Sequence, residues 1–419
     1  MSPSLGGGRC GSLCDLPELP SHPLAHNVYD NAVAAVYLVK RGHLKAAQQI
    51  LSIFLKLLYP SDGVACKSAL IGKASGRKVS LLAGSYTSEP VQACVYGGTG
   101  VQSNGVYAGN NAWVGLAFAH YASATNSTCH ATVARDILGV LFENKCSDGL
   151  QGVMGVYGPT GSPTYRSVEH NIDIYALATI LGDKTIQDFI ATFIRNNYLY
   201  DKRAYGPGTR GSSRCDVSTN LHPIPLDTQV WNFLAGADLD QERSGTSLQF
   251  AFDEMAEENV DFVSNTTLSG FRFSNAANGV QWEVTTSAAM SLILYKQSFN
   301  NDRLPWLQTK LDDVRNSVRY LLSMYGVVPG SVLGGNNDAY NVWKNGKVKN
   351  FPYPGGSPSG FGWTYLRYGH LASTAWSGLL LLMQFDEESK VNLDANPYAL
   401  SSSGIPPFGS DNENLQCIP

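Results

Sequence analysis

The sequence predicts an all-α protein in which helical hairpins close on themselves as an α/α toroid. Three observations lead there. Helical periodicity recurs along the whole chain of 419 residues, while alternating strands are few. Short and long connections between helices alternate. Every second helix is apolar on most of its faces, as a helix enclosed on all sides must be.

The first helix opens at Tyr29-Asp30-Asn31 and continues through Ala32, Val33, Ala34, Ala35 and Val36. The second follows Gly42 and sets Ala46, Ala47, Ile50, Leu51, Phe54 and Leu58 on one face. A third runs from about Asn111 to Ala122 and a fourth over roughly 128–143. The fifth lies between Ser167 and Gly182, the sixth between Thr185 and Asn196. The seventh opens at Asp227, the eighth near Ser247, the ninth near Trp282 and the tenth near Leu304. The eleventh covers about His370–Phe385, and the remaining tail reads as loop.

Links inside a pair are a few residues, such as Arg41-Gly42-His43 and Gly182-Asp183-Lys184. Those between pairs are long, Gly-rich and aromatic: about 60–109, 144–166, 198–226, 258–281 and 326–369. Short links make antiparallel neighbours, so the chain is a series of hairpins. Odd-numbered helices carry small apolar sets such as Gly115/Leu116/Ala117 and Ser287/Ala288/Ala289, whereas even-numbered ones carry Arg135, Asp136, Lys310 and Asp313. Odd helices inside and even helices outside give the toroid, with six inner helices and an ill-defined outer partner for the last. All long loops and inner-helix N-termini then share one end. The expected division is an N-terminal extension (1–25), one catalytic domain (26–390) and a tail packed on or near it (391–419). No fixed-period repeat favours an α-solenoid.

Composition narrows the function. Charged residues make up only 15% of the chain, against roughly 25% in typical globular chains. The net charge of −4 comes with no Lys/Arg cluster, which argues against a nucleic-acid partner. No apolar run reaches the ~18 residues of a membrane span, so no membrane partner is expected. The eight cysteines, at 10, 14, 66, 94, 129, 146, 215 and 417, include no CxxC or Cys/His metal spacing and read as structural disulfides. Cys129 and Cys146 bracket the fourth helix and stand too far apart to bond, while Cys66 and Cys94 share one loop and are the favoured pair. Together with the sequons at Asn126 and Asn265, they suggest a secreted protein. The opening Met-Ser-Pro-Ser-Leu has no secretion-signal pattern, so removal of the signal is the expectation. Phosphate-loop and dinucleotide glycine patterns do not occur, nor does a nucleophile elbow, and no cofactor or metal is expected.

The inner-helix starts gather chemistry at one mouth. They supply Tyr29 and Asp30; Asn110, Asn111 and Trp113; Glu169, His170, Asn171 and Asp173; Asp227, Gln229 and Trp231; Gln281, Trp282 and Glu283; and His370 and Trp376. Acidic residues in a first turn also serve as caps, and for Asp30 or Asp227 alone that is an equal reading. Five carboxylates around one mouth repel one another, which is costly unless used. Glu169 and Asp173, four apart, share a helix face, so one of them is expected to have a raised pKa, as a general acid requires. The plain alternative is a cap at Glu169 and an Asp173–Arg166 pair. Tryptophans in the inner helices, with Tyr107, Tyr165, Trp363 and Tyr365 in the loops, suit the flat apolar face of a pyranose.

The segments Tyr29-Asp30-Asn31-Ala32, Asn110-Asn111-Ala112-Trp113, Glu169-His170-Asn171-Ile172-Asp173 and Asp227-Thr228-Gln229-Val230-Trp231, on the hairpin rhythm, give a resemblance to the six-hairpin glycosidase-like (α/α)6-toroid carbohydrate-active enzymes. The resemblance spans nearly the whole chain. It implies an inverting hydrolase, with a polysaccharide or oligosaccharide as substrate and two carboxylates roughly 6.5–9.5 Å apart. Residues on different inner helices meet that requirement, giving Glu169 as acid and Asp227 as base, with Glu283 a rival for either role. Asp30 and Asp173 would tune charge, and Tyr29, Asn111, Trp113, His170, Asn171, Gln229, Trp231, Trp282, His370 and Trp376 would position sugar. Related toroids are polysaccharide lyases, for which His170 with Tyr29 or Tyr165 would move the proton. A non-catalytic glycan-binding protein is the third reading.

Overall fold

The computed structural model describes residues 26–59, 70–86, 101–103, 105–157, 165–211, 213–261, 266–298, 304–331, 356–366, 369–384, 391–400, 404–406 and 417–418. Eleven α-helices lie among them: α1 (Val28–Lys40), α2 (Leu44–Leu58), α3 (Ala108–Thr125), α4 (Thr128–Phe142), α5 (Val168–Leu181), α6 (Lys184–Asn196), α7 (Asp227–Ala235), α8 (Gln241–Met255), α9 (Trp282–Ser298), α10 (Leu304–Tyr325) and α11 (Leu371–Gln384). Each odd-numbered helix packs on the next, and α11 returns to α1, which closes an inner ring. The even-numbered helices pack outside it, each on its hairpin partner. This is the (α/α)6 toroid.

Composition decides which ring a helix joins. In α3 and α9 nearly every residue is buried, including Ser287 and Ser291, whose hydroxyls turn back to main-chain carbonyls of the helix. In α6 only Ile186, Ile190, Phe193 and Ile194 are buried, a single stripe at helical spacing. The hairpin turns use left-handed C-caps at Asn126, Gly182 and Gly236, followed by side-chain N-caps from Ser127, Asp183 and Asp240. One outer-helix charge belongs to the interior. Asp136 is fully buried and accepts hydrogen bonds from the Tyr59 hydroxyl (3.0 Å) and the Ala74 N–H (2.9 Å), which fasten the 70–86 segment to α4.

Two elements start or form where the sequence signal was weak. The eighth helix begins at Gln241, capped by Asp240, not near Ser247. The 258–281 link holds an antiparallel hairpin, Ala256–Asp261 paired with Thr266–Phe271. The other long links contain short strand pairs.

The outer ring has five helices among the described residues. After α11 the chain turns at Leu393–Ala395 and crosses the far end of the ring. There Asn396 donates to the Leu234 carbonyl, His120 bonds the Pro397 carbonyl, and Lys40 donates to the Ala399 carbonyl. A disulfide, Cys129–Cys417, ties the tail to α4, and a second joins Cys146 to Cys215. Cys129 and Cys146 are thus not paired with each other, while the Cys66–Cys94 pairing lies outside the described residues. Cys146, Asp148 and Cys215 lie together at metal-like spacing, but the two sulfurs are bonded to each other. No helix among the described residues is long and apolar enough to cross a membrane.

Candidate active site

A recurring fastener sets the rotation of the inner helices. The Asn111 side chain accepts from the Leu82 N–H (2.7 Å) and donates to the Leu82 carbonyl (3.0 Å). Asn171 does the same to Val153 (2.8 and 3.0 Å), and Gln229 to Tyr205 (2.8 and 2.8 Å). On α9 and α11 the hydroxyls of Thr285 and Thr374 clamp Phe271 and Val328 in the same manner. Each clamp is the third or fourth residue of its helix. A residue two positions away is turned by about 200°, so it faces the opposite side, toward the ring's axis.

Two layers follow from that register. Two residues before the clamps come Gly109, Glu169, Asp227 and Glu283, at the mouth; two residues after come Trp113, Asp173, Trp231 and Trp376, about 6 Å deeper. The mouth layer opens into a cavity of about 750 Å³. Its lining includes Tyr29, Asp30, Glu169, His170, Asp227, Trp231, Glu283 and His370, with Tyr107, Tyr165, Phe273, Phe361, Trp363 and Tyr365 around them. The volume is in the range of small-ligand sites. Gly109 is needed at its position, because a Cβ there would lie 2.5 Å from Cδ2 of His170.

Several residues assigned to the sugar lie elsewhere. Asn111, Asn171 and Gln229 are fully buried and spend their amides on the main chain, so they hold the helices and not a ligand. Trp113 and Trp376 are enclosed on the axis beneath the cavity, where they pack on Trp231 and Tyr398 with ring centroids 5.3–6.3 Å apart. Of these indoles only Trp231 reaches the cavity, as part of its floor. Trp282 is likewise buried in the hydrophobic core, outside the lining. Asp173 sits one turn below Glu169 and accepts a hydrogen bond from the Tyr398 hydroxyl (2.9 Å). It does not pair with Arg166, whose guanidinium is committed to Asp148 (2.8 Å) and to the Gln151 and Asp216 carbonyls. Phe273, Phe361, Thr209 and Arg210 are lining residues that were not singled out for the site. For Phe361 a signal existed, the aromatic cluster Phe361-Gly-Trp363-Thr-Tyr365, whose three rings all pack on Phe273.

Electrostatics separates the carboxylates. Burial drives the Glu169 carboxyl well above the usual carboxylate range, and the charges of Asp227, Asp173 and Glu283 add to it. Asp227 is pushed up to about 7 by burial, against the N–H of Thr228, which donates to it at 2.5 Å. Glu283 also rises to about 7 by burial, although His370 and a hydrogen bond from the Tyr29 hydroxyl oppose the shift. Burial alone lifts Asp30 to about 7; its carboxylate lies 3.5 Å from Nε2 of His370. Burial lowers the histidines, His170 to about 4. The site is therefore a set of protonatable carboxyls beside neutral imidazoles.

A stability prediction arises here. Asp30 has a folded-state pKa raised above its unfolded value of about 4, so its contribution is intact below that pH and is lost as pH rises through about 7. Asp30→Asn is expected to match wild type in thermal midpoint near pH 4 and to exceed it increasingly toward pH 8. Whole-protein melts would mix this with the buried histidines, which act in the opposite sense, so the readout is the difference between the two melts. A difference that shrinks as pH rises contradicts the assignment.

No protein-family model and no curated protein matches this sequence. Its backbone is similar to that of a glycosidase (11% identity, 90% of each chain covered, TM-score 0.53). It is also similar to a sugar epimerase from a ruminal bacterium (10% identity, 87% of this chain and 89% of that one, TM-score 0.53). A family 76 glycoside hydrolase from a bovine Bacteroides thetaiotaomicron strain superposes at 12% identity and TM-score 0.52, over 87% of this chain and 72% of that one. These likenesses show the (α/α)6 toroid fold.

Proposed function

We propose that the protein is a secreted glycoside hydrolase that cleaves a neutral polysaccharide or oligosaccharide with inversion at the anomeric carbon. The observation that carries this is the set Glu169, Asp227, Glu283 on successive inner helices, all facing one cavity, with the charges of Asp227 and Glu283 raising the pKa of Glu169. Glu169, whose carboxyl is kept protonated by burial and by its acidic neighbours, donates that proton to the glycosidic oxygen as the C–O bond breaks. Asp227, ionising near pH 7, takes a proton from a water whose oxygen bonds to the anomeric carbon from the opposite face. Asp227 rather than Glu283 takes this role because Glu283 is engaged as acceptor of a hydrogen bond from the Tyr29 hydroxyl. Tyr29, Asp30, His170, Trp231 and His370 then orient the sugar. Two disulfides among the described residues suit an oxidising, extracellular setting.

A lyase acting on a uronic-acid polymer needs a basic mouth for its polyanion. Here Arg210 is the sole Lys or Arg among the described lining residues, against Asp30, Glu169, Asp227 and Glu283. The test is proton NMR of the anomeric signals during digestion of a panel of neutral glycans. The first-formed product is expected to carry the opposite anomeric configuration from the substrate. Retention, or an unsaturated product absorbing in the ultraviolet, overturns the proposal.

A further inference from the structure

At the outer lip of the cavity the segment Phe361-Gly362-Trp363-Thr364-Tyr365 alternates aromatic and small residues. Its C-terminal part pairs with Gly356–Pro358, and both the N–H and the hydroxyl of Ser359 donate to the Trp363 carbonyl at 2.9 Å. The strand covers only Thr364–Leu366, and the chain bends before it at Gly362 (φ 102°), an arrangement that leaves all three rings on one side. That side rests on Phe273, whose centroid is 5.8–6.0 Å from those of Trp363 and Phe361 and 5.1 Å from Tyr365. Trp363 lies nearly parallel to Phe361, at 5.5 Å and 24°. It is nevertheless 49% exposed.

This arrangement differs from an ordinary surface aromatic in two respects. The indole is held in place by two rings and a pinned main chain, so its orientation costs a ligand little entropy to use. The strip is also continuous with the acidic cluster. Trp363 stands at the lip, whereas Tyr365 is buried deeply enough to feel the charges of Glu283, Asp227 and Glu169. A run of aromatic faces from solvent to the reacting carboxyls is the surface on which consecutive pyranose rings lie flat, with their hydroxyl edges free for the polar lining.

We infer that Phe361 and Trp363 form an outer sugar-stacking subsite, so the substrate is a neutral glycan chain extending from the carboxylates to the lip, not a single sugar. The inference rests on the proposed glycan-hydrolase reading of the same cavity. Its test uses full-length protein carrying Glu169→Gln, so that glycans are bound without turnover, and calorimetric titration with neutral oligosaccharides of increasing length. Affinity is expected to step upward when the chain becomes long enough to reach Trp363. Adding Trp363→Ala is expected to remove that step and weaken binding of the longer chains by about three- to tenfold, the usual range for one aromatic contact. Trp363→Phe should restore most of it, and equal thermal midpoints exclude a folding defect. If glycans bind but both variants show the same dependence on length, the subsite is wrong while the hydrolase reading survives. If no oligosaccharide of any length binds the Glu169→Gln protein, both fall together.

Discussion

Glu169→Gln is expected to lower kcat/KM on unactivated glycosides by about 10²–10⁴-fold, the usual worth of a positioned general acid. Glutamine keeps the shape and hydrogen-bonding of the side chain but has no proton to give. The loss should therefore depend on the leaving group. With a dinitrophenyl glycoside the departing phenolate needs no protonation, and the variant should recover most of the wild-type rate. Asp227→Asn removes the group that activates water, and its loss should be as large on both kinds of substrate. The pH profile gives a second reading. Glu169 must be protonated and Asp227 ionised, so activity in wild type falls toward acid through the Asp227 titration near 7 and toward alkali through that of Glu169. The Glu169→Gln variant should lose the alkaline limb and keep the acid one. Near-wild-type hydrolysis of an unactivated glycoside by this variant would overturn the role of Glu169.

Trp113→Ala is expected to be the most destabilising single change on the axis, costing about 3–5 kcal/mol in urea unfolding, the range for emptying a buried aromatic site. The Trp113 ring has no exposed surface and meets Tyr29, Trp231, Trp376 and Tyr398 at centroid distances of 5.3–6.3 Å. Its neighbours belong to α1, α7, α11 and the tail, so a cavity at that point has no single helix able to collapse into it. Trp113→Phe should cost less. The same experiment separates this role from sugar binding. A ring that stacks on substrate would leave unfolding unchanged and raise KM, and that pattern would contradict the packing described here.

The two residues in these predictions differ in how far the sequence revealed them. The hairpin rhythm was legible because an enclosed helix has no polar face to display, and the acidic starts of α5, α7 and α9 stood out against that background. The same contrast misled the interpretation of Asn111, Asn171 and Gln229. A polar group in an apolar helix suggests a ligand, yet each one satisfies the backbone of the segment that precedes its helix. The signal that would have separated them is positional, since a polar residue recurs at the third or fourth place of every inner helix from α3 to α11. Trp113 and Trp376 were read as platforms because the sequence shows ring type and not depth, and the step of four residues that puts them below the mouth only becomes meaningful once the clamps are known. The Tyr398–Asp173 contact joins positions 225 residues apart and has no local trace. The hairpin at 256–271 was hidden by Glu257, Glu258 and Asn259, residues with weak strand preference, whose place is fixed by pairing across the turn.

Tyr398 closes the bottom of the ring, and the helix that completes the circle, α11, comes only shortly before it in the chain. Protein synthesis delivers the N-terminal part first. Five inner helices thus leave the ribosome with α1 and α9 still lacking the neighbour that covers their flanks. The stretch from α11 to Tyr398 works as a keystone, for the tryptophan axis lacks Trp376 and its Tyr398 base until it has been translated. A chain that stops before α11 is an open arc in which the apolar flanks of α1 and α9 stay uncovered.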